Sequence, residues 1–341
     1  MDNISSENVL PLKKPRIEYI DLAKGICITL VVILHLSSFI GVDFAAEYYL
    51  QTFRMPLYYF LSGCFFKAYG GFWDFIKRKT NKLLIPFFFF YFFISCLTPR
   101  LAYDWLGIDW EPLEWSQFPT AFYYGKYPLG ALWFLYCLFR INLIFYVIYL
   151  VADKYRHSSW CIVLCSAVIG AIGWASRLMG FTIPFFGYTV FLNLPFFMFG
   201  YMLFRRTSAL KPNRYDKYLW LQVLASIAVV IAGRHLLDII SGTYVCGMAG
   251  TYGVLMLSKQ LQKLPMFSYF GRYSIMLLVT HMLLCKICIE IFKPLGLSPE
   301  MVFWISLPIV MLSYYLIIPF MRRYMPHVTA QKDVIPVNPR T

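Results

Sequence analysis

Residues Tyr19–Val42 read YIDLAKGICITLVVILHLSSFIGV, an apolar run broken only by Asp21, Lys24 and His35. A bilayer core about 30 Å thick takes roughly 20 helical residues to cross, so this stretch is long enough to span. Lys13, Lys14 and Arg16 precede it in a polar N-terminal stretch. Basic flank, long apolar run and no small-residue cleavage site together resemble a signal anchor rather than a cleaved signal peptide.

Nine further runs follow the same rule, approximately Phe53–Ala68, Leu83–Thr98, Leu129–Val151, Ser159–Ala175, Pro184–Phe204, Tyr218–Gly233, Ile239–Ser258, Tyr273–Phe292 and Met301–Met321. The expectation is an all-α polytopic membrane bundle of about ten transmembrane helices. The chain divides into an N-terminal tail (1–18), a membrane domain (19–321) and a C-terminal tail (322–341). Composition agrees. Hydrophobic residues make up 60% and charged residues 14%, against about 45–50% and about 25% in soluble domains, so lipid must cover part of the apolar surface. All nine cysteines lie in apolar segments, where free Cys behaves as a small hydrophobe; neither a disulfide framework nor a metal site is expected. No internal repeat is visible.

The net charge of +14 is explained by topology rather than by nucleic acid, which is not expected as a partner. With the N-terminus inside, 22 of the 31 Lys and Arg residues fall on the cytoplasmic side, as the positive-inside rule requires. Both termini are then cytoplasmic. His157 and His327 lie on that side and His235 at the outer end of the seventh run.

Ionisable residues inside spans are costly and usually face a bundle interior or cavity. Lys24 and His35 are separated by eleven positions, about 20° apart in projection and about 16 Å along the axis. Asp21 lies within about 60° of both, so acid, base and imidazole share one stripe. Asp21 is about 21 Å from His35 along the axis, so any partner for that ring comes from elsewhere; Asp43, Glu47, Asp238 and Glu290 are the candidates. An interfacial Asp21–Lys24 pair and a packed core His35 are the alternative. His281 lies at a comparable depth in the ninth run, and a structural role is open for it too. The second run opens Phe53-Arg54-Met55-Pro56 and continues to Ser62-Gly63. Arg54 at a helix N-terminus favours an anion, or snorkels to the headgroups. Phe72–Lys82 reads as a short amphipathic interfacial helix with four cations.

These segments, taken together, resemble acyltransferase family 3, the polytopic membrane O-acyltransferases of surface polysaccharides, fucose 4-O-acetylase-like. Lys24 and His35 fit its first-helix signature of a basic residue, ten others, then His. Arg54-Met55-Pro56 to Ser62-Gly63 is similar to its second-helix signature. Lys79-x-x-Lys82 before Leu83-Leu84-Ile85-Pro86 stands where the family has paired arginines. Leu132-Trp133-Phe134-Leu135, Pro195-Phe196-Phe197 with Gly200, and Gly271 through Ser274 to His281 follow in order.

The resemblance implies acetyl-CoA or another acyl-CoA as cytoplasmic donor, no metal, and a carbohydrate hydroxyl as acceptor at the outer face of the cell (inner or plasma) membrane. It implies catalytic roles for His35, Arg54 and His281, with Arg54 helping to hold the reacting acyl group. Lys24, Lys79 and Lys82 fall toward the CoA side; Asp21 and Ser62 orient. Lys binds phosphate as a point charge where Arg binds it bidentately. The aromatic connector from Tyr103 to Tyr127 offers stacking faces for sugar or interfacial anchors. Acetyl and succinyl donors both stay open, as do direct transfer, an acyl-enzyme and the oligomeric state. The rival readings are a transporter or exporter of a small solute or glycan precursor, and a scaffold without catalysis.

Reporter fusions at Lys79, at Pro212 and in the C-terminal tail should read cytoplasmic, and one near Glu111 external. A cytoplasmic signal at Glu111 would break the ten-helix arrangement.

Overall fold

The computed structural model describes residues 17–106, 116, 119, 130–155, 159–181, 183–206 and 216–337, and among these the regular structure is entirely helical. In chain order the main helices are α1 (Glu18–Ile40), α2 (Arg54–Cys64), α3 (Phe72–Ala102), α4 (Trp133–Lys154), α5 (Ser159–Met179) and α6 (Gly187–Arg206). They continue with α7 (Leu219–Leu236), α8 (Ile239–Leu261), α9 (Pro265–Arg272), α10 (Ser274–Phe292) and α11 (Pro299–Tyr324). Among the described residues eight segments, containing α1, α3, α4, α5, α7, α8, α10 and α11, are long and apolar enough to cross a bilayer. The apolar stretch of α6, Gly187–Leu203, is shorter, and α2 has 11 residues. These ten coincide with the ten apolar runs of the sequence, and the protein is a multi-pass membrane bundle. Its outer faces are apolar: Trp160, Leu164, Trp304 and Leu316 are all more than 60% exposed.

One expectation is corrected. Phe72–Lys82 is not a separate interfacial helix; it is the first part of α3, which runs unbroken through Ala102. Prolines at 86 and 99 should interrupt such a helix by clashing with the carbonyl four residues back. Those carbonyls, at Lys82 and Ser95, fall inside two wide π-helical stretches, Thr80–Leu84 and Tyr91–Leu97. A π-turn absorbs a residue that the regular ladder cannot seat, so the helix continues where the sequence suggested a break.

Helix α1 ends where Gly41 turns left-handed (φ +81°), and the Gly41 and Val42 amides both donate to the Ser37 carbonyl at 2.9 Å. Its flank packs on α9, α10, α8 and α11. At α9 the approach is backbone to backbone. A Cβ added at Gly25 would land on the Phe267 carbonyl, and one at Gly271 on the Asp21 carbonyl. A second reciprocal pair joins α2 to α6: Gly63 meets the Phe197 carbonyl and Gly200 the Phe60 carbonyl. Lipid tails are as apolar as Leu, so membrane helices gain from close van der Waals approach at small residues rather than from burying bulk. Between α2, α3, α4 and α6 an aromatic cluster fills the remaining space, with the Phe66 ring 5.0 Å from Phe145 and 5.8 Å from both Phe75 and Tyr201.

Overpacking a well-filled core costs about 1–3 kcal/mol, and here the obstacle is rigid backbone. Gly271→Ala should therefore lower the thermal midpoint of the solubilised protein sharply or abolish its monodisperse peak in size-exclusion chromatography. Gly242→Ala, whose new methyl would meet nothing nearer than 3.7 Å, should be near neutral. Equal behaviour of the two variants would refute the close-contact account.

Candidate functional site

On α1, Lys24, Ile28 and Val31 recur at helical spacing, and all three line a cavity of about 290 Å³. Residues three and four apart lie on one helix face, and the next position on that face is His35. Across the cavity α10 contributes Ser274, Ile275 and Leu278, and one further turn of α10 reaches His281. Helix α2 supplies Tyr58 and Ser62, α3 supplies Lys79, and α4 supplies Phe134 and Leu138. Tyr58 donates its hydroxyl to the Lys24 carbonyl at 2.9 Å, fixing α2 against the first turns of α1.

The two deep histidines meet. Their ring centroids are 5.1 Å apart, with His35 half-buried and His281 wholly buried. The Nδ1 of His281 lies 2.9 Å from the Leu277 carbonyl. A carbonyl only accepts, so Nδ1 carries the proton and donates. That leaves Nε2 as a lone pair, buried and without a partner, in a ring packed on His35. None of the four carboxylates considered for His35 holds its ring. Glu47 is engaged with Arg54. Asp238 caps α8, accepting from the Ser241 hydroxyl and from the Ser241 and Ile240 amides, hydrogen bonds that hold its carboxyl below the ordinary range. Glu290 is 4.0 Å from Lys293, and no hydrogen bond or ion pair joins Asp43 to His35.

Arg54 is 4% exposed and its guanidinium is engaged by protein groups. Its two terminal nitrogens hold the Glu47 carboxylate, Nη1 at 2.8 Å from Oε2 and Nη2 on Oε1, and Nη1 also reaches the Leu30 carbonyl at 3.3 Å. A guanidinium fork and a carboxylate match bidentately, so the pair clamps the segment before α2 onto α1. Asp21 lies 3.8 Å from Arg272 at the α1–α9 contact, and Glu18 lies 3.2 Å from the same guanidinium. This places Asp21 in the bundle framework rather than beside an imidazole.

A second cavity of about 230 Å³ adjoins the first, sharing Ser62, Lys79, Leu83 and Leu138. Its other walls include Arg78, Lys82, Asn142 and Asp333. Lys79 and Lys82 are therefore brought together, Lys79 belonging to both cavities. The combined space changes character along its length, from cations at the end where α3 begins to apolar side chains beside α1 and α10. Lys79 is half-buried, with its Nζ 5.5 Å from the Phe75 ring centre. Most of the connector from Tyr103 to Tyr127, with its stacking faces, lies outside the described residues.

Sequence reasoning missed three polar groups. Arg140 of α4 is 4% exposed; it donates to the Phe185 and Phe186 carbonyls at 2.5 and 3.0 Å and lies 4.0 Å from the Tyr136 ring centre. A lone Arg in an apolar run was signal enough to find it. Lys259 pairs with Asp216 at 2.6 Å. Asn81, between Lys79 and Lys82 on α3, is 1% exposed.

The family model of an acyltransferase domain, acyltransferase family 3, matches residues 17–325. No curated protein and no solved structure matches the chain. The matched span takes in the eleven main helices and every lining residue of the two cavities except Asp333, with Lys24, His35, Arg54, Lys79, Lys82 and His281 inside it, and the chain belongs to acyltransferase family 3, the membrane acyltransferases.

Proposed function

We propose that this acyltransferase moves an acetyl or similar small acyl group from acyl-CoA onto a saccharide hydroxyl, with His35 as general base. The observation that carries the reading is the pair of adjoining cavities, which lead from Lys79 and Lys82 to the turn of α1 below His35. In this reading the basic end faces the cytoplasm, as the charge asymmetry supports, and the donor's phosphates meet the lysines. An apolar channel between Tyr58, Phe134 and Leu278 then suits the uncharged arm that carries the thioester. The acceptor hydroxyl approaches from the opposite membrane face.

The chemistry assigned to the residues balances simply. An imidazole nitrogen of His35 takes the acceptor's hydroxyl proton as that oxygen attacks the thioester carbonyl. Collapse of the tetrahedral species breaks the carbon–sulfur bond, and the imidazolium returns its proton to the departing thiolate. General-base catalysis of this kind contributes about 10²–10⁴-fold. His281 is a positioning residue here. With its Nδ1 proton committed to Leu277, its Nε2 can only accept, and the His35 ring packed on it is the group that would turn an N–H toward it during the reaction. In this reading that hydrogen bond sets the His35 tautomer and leaves the other His35 nitrogen basic, as a carboxylate does in a hydrolase triad. Arg54 with Glu47 holds the wall, and Ser62 lines both cavities.

Substituting His35 by Ala should abolish acylation of the surface glycan in cells, measured by mass spectrometry, with protein level and topology unaltered. His281→Ala should be milder, and His281→Gln, whose side-chain carbonyl can accept from His35, should recover part of the loss. Near-normal acylation by the His35→Ala protein would remove the mechanism. Purified protein that moves solute yet neither hydrolyses nor transfers from acyl-CoA would favour a transporter.

A further inference from the structure

The family match stops at residue 325, yet the chain after it is ordered against the cation-lined cavity. Asn81 is 1% exposed and lies on the first π-turn of α3, between Lys79 and Lys82. Its amide is satisfied by the tail: Nδ2 donates to the Ile335 carbonyl at 2.8 Å, and Oδ1 accepts from the Val334 and Ile335 amides at 3.0 and 2.9 Å. A buried amide that makes three hydrogen bonds to one backbone segment is a specific clamp, since losing it would leave polar groups unpaired. Next to the clamp, Lys82 donates to the Ala330 carbonyl at 2.9 Å and lies 3.1 Å from the Asp333 carboxylate. Ala330 adopts a left-handed backbone (φ +60°), a conformation an L-residue holds only when its surroundings require it. Asp333 itself lines the cavity with Arg78, Lys79 and Lys82. Of the two lysines, Lys82 is thus occupied by a carboxylate, while Lys79 has no carboxylate partner among the described residues.

We propose that residues 330–335 are an intramolecular occupant of an anion site, in which the Asp333 carboxylate stands where a phosphate group of the donor binds Lys82. The tail, held by Asn81, therefore sets donor affinity in this chain, and a phosphate-bearing ligand must displace it. The anion site stands on geometry alone; identifying the phosphate as that of acyl-CoA rests on the function proposed above. Lys82 and Asp333 are partly exposed, their side chains 49% and 34%, so the contact is a weak, displaceable one. Such a contact suits a gate better than a structural strut.

The test uses the full-length protein in phosphatidylcholine nanodiscs, which offer no anionic lipid to compete. Acetyl-CoA binding is measured for the native protein, Asp333→Asn, Asn81→Ala and Lys82→Gln, and for Asp333→Asn combined with Lys82→Gln. Exposed ion pairs are worth about 0.2–1 kcal/mol, so Asp333→Asn should bind about 1.4- to fivefold more tightly. Asn81→Ala, which frees the whole segment, should gain more. Lys82→Gln should bind more weakly, and in its background Asp333→Asn should bring no gain. Hydrogen exchange of residues 330–335 in the native protein should rise when inorganic pyrophosphate is added. Unchanged or weaker acetyl-CoA binding by Asp333→Asn would overturn the proposal while leaving the donor assignment standing. Tail release by pyrophosphate with no acetyl-CoA binding by any form would keep the gated anion site and overturn the donor assignment. A tail that stays protected at saturating pyrophosphate would overturn the gate whichever donor the enzyme uses.

Discussion

Two pairs of glycines let backbone touch backbone where side chains ordinarily hold helices apart, Gly25 with Gly271 and Gly63 with Gly200. The first pair fixes how α1 lies on α9, and α10 begins at Ser274, three residues after Gly271. The register of α10 along α1 is thereby set, and with it the meeting of His281 with His35. The second pair draws α2 onto α6, which leaves the Tyr58 and Ser62 face of α2 turned to the cavity beside α1. Both contacts occur where hydrophobic burial cannot discriminate, because lipid would cover the same side chains equally well. Close approach is what remains to specify one packing. These glycines belong to segments that resembled family motifs beside their polar residues, and geometry explains why each is glycine.

Buried charge in this bundle is handled by local neutralisation or by backbone carbonyls. Arg54 has Glu47, Lys259 has Asp216, and Asp21 has Arg272. Arg140 instead lies among the carbonyls of Phe185 and Phe186. An unpaired charge away from water is strongly destabilising, so these partners hold the connectors before α2, before α6 and before α7 onto the helices. Two polar groups left with capacity lie near the cavities. Nε2 of His281 has no partner, and Lys79 has aromatic rings rather than a carboxylate beside it.

The all-α membrane class was legible in residues 19–42 and in nine similar runs, because spanning a bilayer imposes a length and an apolarity that composition alone displays. The same reasoning located Lys24 and His35 on one stripe, since both lie on one helix with a fixed repeat. Asn81, Arg140 and Asp333 escaped it for a different reason. Their partners are 45 to 254 residues away in sequence, and no local period encodes a contact at that range.

Chain order and residue type therefore determined the ten apolar segments, the basic end and the identity of the polar residues placed in the membrane. Only the tertiary structure decided that Glu47 belongs to Arg54, that His281 faces His35, that α3 continues through two prolines and that the tail closes over Lys82. Each of those outcomes depends on how whole helices are rotated and shifted against one another. That arrangement is fixed by glycine contacts and buried polar pairs between distant segments, which local pattern in the sequence does not contain.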